Sequence, residues 1–344
     1  MTARFRLNCF AALLCAAASL LTAPGAFAWG CKGHQAVAYI AERHLTPEAK
    51  QYLVQLLKDN PIDPKWKRYC GNTISDPFAD GATWPDDARP SLKNGAWHYI
   101  DIPLDATRGP LDSWCGADGC VTKAISDQIA ILKDKNAEPA KRADAVRYIV
   151  HFIGDMHQPL HAADNDDHGG NCVPVQFFRV SPQLDNRHPE HENYEPNLHG
   201  VWDSSIVERD MEIGDPYRYA SDLDVKFSAE APNWQKAGIH IDDWAWESHT
   251  RAVQVTYGTL PVKIDAEKPV KVATCADDND IAGRMLQKHI VLGDAYQTAA
   301  APVVEESIAA AGVRLAMILN DAAKSLGVQP ASAATQDVPA NSPN

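Results

Sequence analysis

The chain has no Walker glycine loop, no G-x-S-x-G elbow and no internal repeat. These absences exclude a P-loop phosphate cradle, a serine hydrolase of the α/β type and a solenoid of stacked units. Basic residues are in deficit: 32 Lys and Arg stand against 45 Asp and Glu, a formal net charge of −13. A surface of that sign excludes a tight electrostatic grip on duplex DNA. It does not exclude a nucleic-acid substrate whose phosphate is held by bound metal ions, which are large local positive charges. Beyond residue 28 no apolar run is long enough to span a bilayer.

The apolar run that does exist lies at the start. Arg4 and Arg6 precede a run from Phe10 to Leu21, and Ala26-Phe27-Ala28 follows as an A-x-A cleavage site. Residues 1–28 read as a cleaved signal peptide, which makes Trp29 the first mature residue and the product secreted or periplasmic. A membrane anchor fits less well, because the run is short for a span. Cleavage removes two arginines and no acid, so the mature chain is more acidic still. It also removes Cys9 and Cys15 and leaves six cysteines of the original eight. In an exported chain these read as disulfides rather than metal ligands. Cys115 and Cys120 flank Gly116-Ala117-Asp118-Gly119 and are expected to pair, whereas Cys31, Cys70, Cys172 and Cys275 can pair in three ways.

Residues 29–328 are expected to form one mainly α domain. Val37, Ile40 and Ala41 lie on one side of a helix from Gly33 to Leu45, and Thr46-Pro47-Glu48 supplies a cap, a first-turn proline and an acid for a helix to about Leu57. Further helices are expected at Thr122–Lys133, Ala140–Met156, Leu198–Arg209, Ala229–Gln235 and Trp244–Tyr257, and two longer ones at Asp280–Thr298 and Val303–Leu326. Asp164–Asn171 reads as a polar loop, Val173–Val180 as a strand in a small hairpin, and Ser181–Pro196 as a surface insertion holding the solvated His188 and His191. Residues 329–344, without an aromatic, read as a disordered tail.

The chemistry concentrates in His151-Phe152-Ile153-Gly154-Asp155-Met156-His157-Gln158-Pro159-Leu160-His161. His151 and Asp155 stand four apart and share a helix face. Gln158-Pro159 then ends the helix and lets His161 approach from another direction. Imidazole with carboxylate favours zinc or a related ion over magnesium or calcium. His199 and Asp203, in Asn197-Leu198-His199-Gly200-Val201-Trp202-Asp203, repeat the four-residue spacing. His34, Asp86 in Trp84-Pro85-Asp86 and His98 in His98-Tyr99-Ile100-Asp101 complete the candidate ligands.

With these motifs in this order from Trp29 to Leu326, the chain resembles the class I nucleases, single-strand-specific zinc endonucleases and 3′-nucleotidases. Their fold is shared with bacterial zinc-dependent phospholipase C. The resemblance implies a phospholipase C/nuclease-type helical bundle with a small β-hairpin and a trinuclear zinc cleft. One zinc would be held by Asp86, His98, His151 and Asp155. A second would take the amino nitrogen and carbonyl of Trp29, with His34 and the shared Asp155. A third would use His161, His199 and Asp203, with positions open to water. Arg89 matches the phosphate-clamping arginine, and Tyr99, Asp101, Gly169 and Asn171 match the contacts to one base. The implied reaction is attack of zinc-activated hydroxide on single-stranded DNA or RNA, leaving 5′-phosphates, by a monomer. His157 matches no ligand and is expected to support those that do; His44, His240, His249 and His289 read as packing or surface residues.

Two rivals remain in view. Zinc phospholipase C usually has Glu where this chain has Asp203 and lacks Tyr99-Asp101 and Gly169-Gly170-Asn171. A secreted zinc-binding protein without turnover would need neither Arg89 nor the base contacts.

Overall fold

The computed structural model describes residues 29–329 apart from 67–69, 71–75, 186–193, 212–213, 265–274 and 276–280. The expected signal segment, the tail beyond Gln329, and His188 and His191 lie outside the described residues.

Three helices meet at the centre: α1 (Cys31–His44), α6 (Pro139–His157) and α13 (Asp294–Leu326). Small residues let their backbones approach. A Cβ at Gly312 of α13 would lie 2.5 Å from Ile40 Cβ on α1. One at Gly154 of α6 would lie 2.7 Å from His34 Nδ1, so the space of a missing methyl is filled by an imidazole. Every residue of α6 from Ala145 to His157 is buried, which puts its last three turns in the interior. Trp29 and Trp202 are fully buried; truncating either to alanine would cost about 3–5 kcal/mol.

The surrounding helices start where the sequence supplies caps. Thr46 Oγ1 accepts from Ala49 N at 3.2 Å to open α2 (Pro47–Asp59). Asp76 accepts from Phe78 N at 2.9 Å and Ala79 N at 3.0 Å to open α3 (Pro77–Gly81). Then come α4 (Trp84–Leu92), α5 (Val121–Lys133), α7 (Leu198–Gly200), α8 (Ile206–Asp210), α9 (Pro216–Lys226), α10 (Ala231–Ala237), α11 (Ile241–Arg251) and α12 (Ile281–Leu286). A π-helical segment, Val201–Ser205, joins α7 to α8, and a second, Ala252–Tyr257, continues α11. The helices expected at Leu198–Arg209 and Trp244–Tyr257 are thus helical throughout but locally widened. Such widenings concentrate at functional sites.

Two expectations are corrected. The break expected between two C-terminal helices is absent. A strand at Val291–Leu292 interrupts the first, and α13 then runs unbroken through Pro302. Pro302 is exposed, so water can satisfy the carbonyl left without its N–H. The strand expected at Val173–Val180 shrinks to β1 (Gln176–Phe177), which pairs in parallel with β4 (Val291–Leu292) and not with a hairpin partner. The antiparallel hairpin lies within the expected insertion: β2 (Gln183–Leu184) pairs with β3 (Tyr194–Glu195).

Disulfides join Cys31 to Cys70, Cys115 to Cys120 and Cys172 to Cys275. The Cys115–Cys120 pairing is as expected, and the structure selects one of the three pairings left open for the others. Among the described residues no helix is long and apolar enough to cross a membrane.

Candidate metal centre

Helix α6 supplies the centre's axis. Its last turns direct His151 and Asp155 inward, both fully buried. His34 arrives from α1, Asp86 from the first turn of α4, and His98 from a 3-10 turn, Gly95–His98. Gln158-Pro159 ends α6 as expected, and the following 3-10 turn, Pro159–His161, presents His161. His199 sits in α7 and Asp203 in the π segment behind it.

Three groups of side chains each place one donor atom per residue within 4.8 Å of the others: His34, Asp86 and His151; His98, His151 and Asp155; and His161, His199 and Asp203. Asp155, a member of the second group, also reaches His34 of the first. Its Oδ1 is 3.2 Å from His34 Nε2; its Oδ2 is 3.0 Å from His98 Nδ1 and 3.3 Å from His151 Nε2. Asp86 Oδ1 is 3.5 Å from His98 Nδ1 and 3.6 Å from His151 Nε2. In the third group His161 Nε2 and His199 Nε2 are 3.1 Å apart, and His199 Nε2 is 3.3 Å from Asp203 Oδ2.

The donor set fits divalent metal. Both oxygens of Asp155, Asp203 Oδ2 and both ring nitrogens of His34 are buried without a hydrogen-bond partner. Polar atoms so placed are costly unless something else binds them. Ring orientation is fixed from behind. Nδ1 of His151 lies 2.7 Å from Ala82 O, Nδ1 of His161 2.7 Å from His98 O, and Nδ1 of His199 2.7 Å from Gly169 O. Each imidazole donates there and keeps Nε2 as a lone pair for metal.

The electrostatics agree. Burial, together with nearby histidines, pushes His161 down to about 4 and His199 down to about 3, so both stay neutral. Burial also opposes charge on His151, but the carboxylates of Asp155 and then Asp86 outweigh it and push His151 up to about 10, so without an ion Nε2 would hold a proton that a divalent cation would displace to use the lone pair. The acidic pair demands a cation.

The other expected residues surround these groups. Trp29 is buried, its carbonyl accepts from His34 N at 3.2 Å, and Gly30 N donates to Asp203 O at 2.6 Å. The backbone at Trp29 is thereby fastened to both His34 and the third group. Arg89 acts electrostatically on both Tyr99 and His199. Tyr99 is 37 % exposed, so it is not a core side chain. Asp101 also keeps solvent access, yet protein crowding, then Asp164 and Asp166, push it up to about 7. Gly169 and Gly170 adopt positive φ, +58° and +84°. Asn171 N and Nδ2 donate to His168 O at 3.1 and 2.8 Å.

His157 stays out of all three groups: its Nδ1 donates to Ile153 O at 2.7 Å and its Nε2 accepts from Arg314 Nη1 at 2.9 Å. Sequence reasoning missed the role of Gln158 beyond ending α6. Its Nε2 donates to Asp203 Oδ1 at 2.5 Å, orienting a carboxylate of the third group. The available signal was its place between a helix end and His161.

Comparison with known proteins agrees with this geometry. The family model described as S1/P1 Nuclease matches residues 29–324. Nuclease P1 of Penicillium citrinum is 26% identical over 317 residues, covering 85% of this chain and 97% of that protein. Nuclease S1 of Aspergillus oryzae is 27% identical over 321 residues, with 88% and 95% covered, and Endonuclease 3 of Arabidopsis thaliana is 28% identical over 305 residues, with 86% and 89% covered. A match across both chains' length, on a fold whose buried His and Asp residues converge in three groups, identifies the chain as belonging to the S1/P1 nuclease family.

Proposed function

We propose that this protein is a secreted zinc-dependent phosphodiesterase that cleaves single-stranded DNA and RNA, and removes 3′-phosphate from nucleotides, leaving 5′-phosphate ends on polymers. The observation that carries the reading is the convergence of three buried His/Asp groups, with the exposed Tyr99 directly after His98 in the chain. Asp86, His98, His151 and Asp155 would hold one zinc. Trp29 and His34, with Asp155 shared, would hold a second, and His161, His199 and Asp203 a third. Bound zinc supplies Lewis acidity and a water of lowered pKa, so no strong protein base is needed.

The chain's own side chains do the rest. Arg89 offers a planar fork to two phosphoryl oxygens and offsets the charge that builds there. Tyr99 gives a base a stacking face, and Asp101 accepts from its polar edge. Stacking there requires the base to leave its neighbours, which costs a few kcal/mol in a duplex and little in a single strand. Gly169 and Asn171 would meet the same base. Trp84 and Trp202, buried and close in sequence to Asp86 and Asp203, would limit water around the ligands' outer sides.

The deciding experiment assays zinc-restored mature protein on single-stranded DNA, RNA, 3′-AMP and phosphatidylcholine. Turnover of the first three is expected. Lipid turnover without nucleotide turnover would transfer the protein to the phospholipase reading, and tight zinc binding without any turnover would make it a zinc-binding protein.

A further inference from the structure

Among the described residues, the buried aspartates are Asp86, Asp155, Asp167 and Asp203. Three of them belong to the metal groups; Asp167 does not, although its exposure is 0 %. A carboxylate taken fully out of water needs a reason, because its desolvation must be offset by good donors. Burial and then Asp164 push Asp167 up to about 7, while donors from Gly170 and Tyr257 work in the opposite direction.

Those donors come from two different elements. Gly170 N donates to Asp167 Oδ1 at 2.7 Å. Tyr257 OH approaches both oxygens, at 2.9 Å and 3.1 Å. Asp167 also uses its backbone, accepting from Cys172 N at 3.0 Å and donating to Asp164 Oδ1 at 3.2 Å. It is therefore the inner post around which the chain from Asp164 to Cys172 is wound. Tyr257 is the last residue of the π segment continuing α11. Its neighbour Thr256 gives its carbonyl to Tyr296 OH at 2.8 Å, which accepts from Trp202 Nε1 at 2.8 Å. The π segment thus holds the loop through one residue and α13 through the next.

We propose that Asp167, held by Tyr257, is the positioning residue that fixes the Gly169–Asn171 arm where it meets the substrate's base, an inference that rests on reading that arm as a base contact. The loop needs such a post because Gly169 and Gly170, both at positive φ, have wide conformational freedom. The phenol supplies a rigid donor from a separately packed element, so the arm, already held within the loop by Gly169 N on Asp164 Oδ1 at 2.7 Å and Gly170 N on Asp167 Oδ1, is also tied to the fold's interior.

The test compares KM for 3′-AMP with KM for a tetrahydrofuran 3′-phosphate, which lacks the base. Tyr257→Phe removes one hydroxyl and keeps the ring. It should raise KM for 3′-AMP about threefold to tenfold, the scale of one buried hydrogen bond, and move the abasic KM much less; zinc content is measured alongside, because Gly169 O also holds His199 Nδ1, and loss of zinc from the variant would overturn a role confined to the base. Asp167→Asn keeps an acceptor for Gly170 N and an amide that the phenol can accept from, so it should stay within about twofold of the parent. Asn171→Ala should raise KM for 3′-AMP selectively as well. A parental KM in Tyr257→Phe, or equal losses on both substrates, overturns the inference while the Asn171→Ala result stands. A parental KM in Asn171→Ala removes the base-contact reading, and the inference with it.

Discussion

Arg314, on the last helix, donates through Nη1 to the Nε2 of His157 at 2.9 Å, with both side chains buried. The same guanidinium binds Glu247, with Nη1 2.6 Å from Oε2 and Nη2 2.9 Å from Oε1, and lies over the Trp244 ring. His157 thus belongs to a joint between α6, α11 and α13. It stays uncharged because burial, and then the arginine, hold it well below its ordinary pKa.

Substituting His157→Leu should therefore destabilise the fold by about 1–3 kcal/mol, because one buried N–H of Arg314 loses its acceptor while the others stay on Glu247. Bound zinc should not change. Chemical denaturation and metal analysis of the purified variant check both statements, and loss of one zinc from a folded variant would return His157 to the ligands.

Protein that keeps even one residue before Trp29 should carry one zinc fewer and lose most activity. An α-amino group titrates near about 7.7–8.0 and ligates when deprotonated, whereas a peptide nitrogen at the same place does not. Metal content and turnover of two forms, one starting at Trp29 and one starting a residue earlier, decide the matter. Equal zinc and equal rates would show that the terminal amine is no ligand.

A pH dependence follows from Asp101, pushed up to about 7 by crowding, Asp164 and Asp166. A raised carboxyl pKa means that the acceptor form prevails above about 7 and the protonated form below it. KM for 3′-AMP should therefore fall as pH rises from about 6 to 8, while KM for the abasic phosphate stays level after correction for metal occupancy. Asp101→Asn should flatten the difference. A parallel pH response of both substrates would assign the titration elsewhere.

What the sequence made legible was local or motif-bound. Helix α2 announced itself through Thr46, Pro47 and Glu48, and the end of α6 through Gln158-Pro159. The eight His and Asp residues that converge in three groups could be named because His and Asp at a four-residue spacing recur and because the motif order resembles a family. The β1–β4 pairing was not legible, since it joins Gln176 to Val291 and no local pattern encodes a partner so far away. Nor was the continuity of α13: Pro302 is a strong local signal, but the packing of α13 on α1 and α6 overrides it. Asp167 looked like one more polar loop residue, because its burial and the arrival of Tyr257 from a distant element are not written in the local sequence.

His98 has a double duty with a consequence for how the centre fills. Its ring belongs to one group of donors, and its carbonyl holds His161 Nδ1 of another at 2.7 Å. Any ion that pulls the His98 ring into place also sets the carbonyl that aims His161. Uptake at the two places should therefore be cooperative: a first ion would lower the ordering cost for the next, and by reciprocity loss of one would loosen the other. The centre should pass from empty to full over a narrower range of free zinc than independent sites would, with few half-filled molecules between.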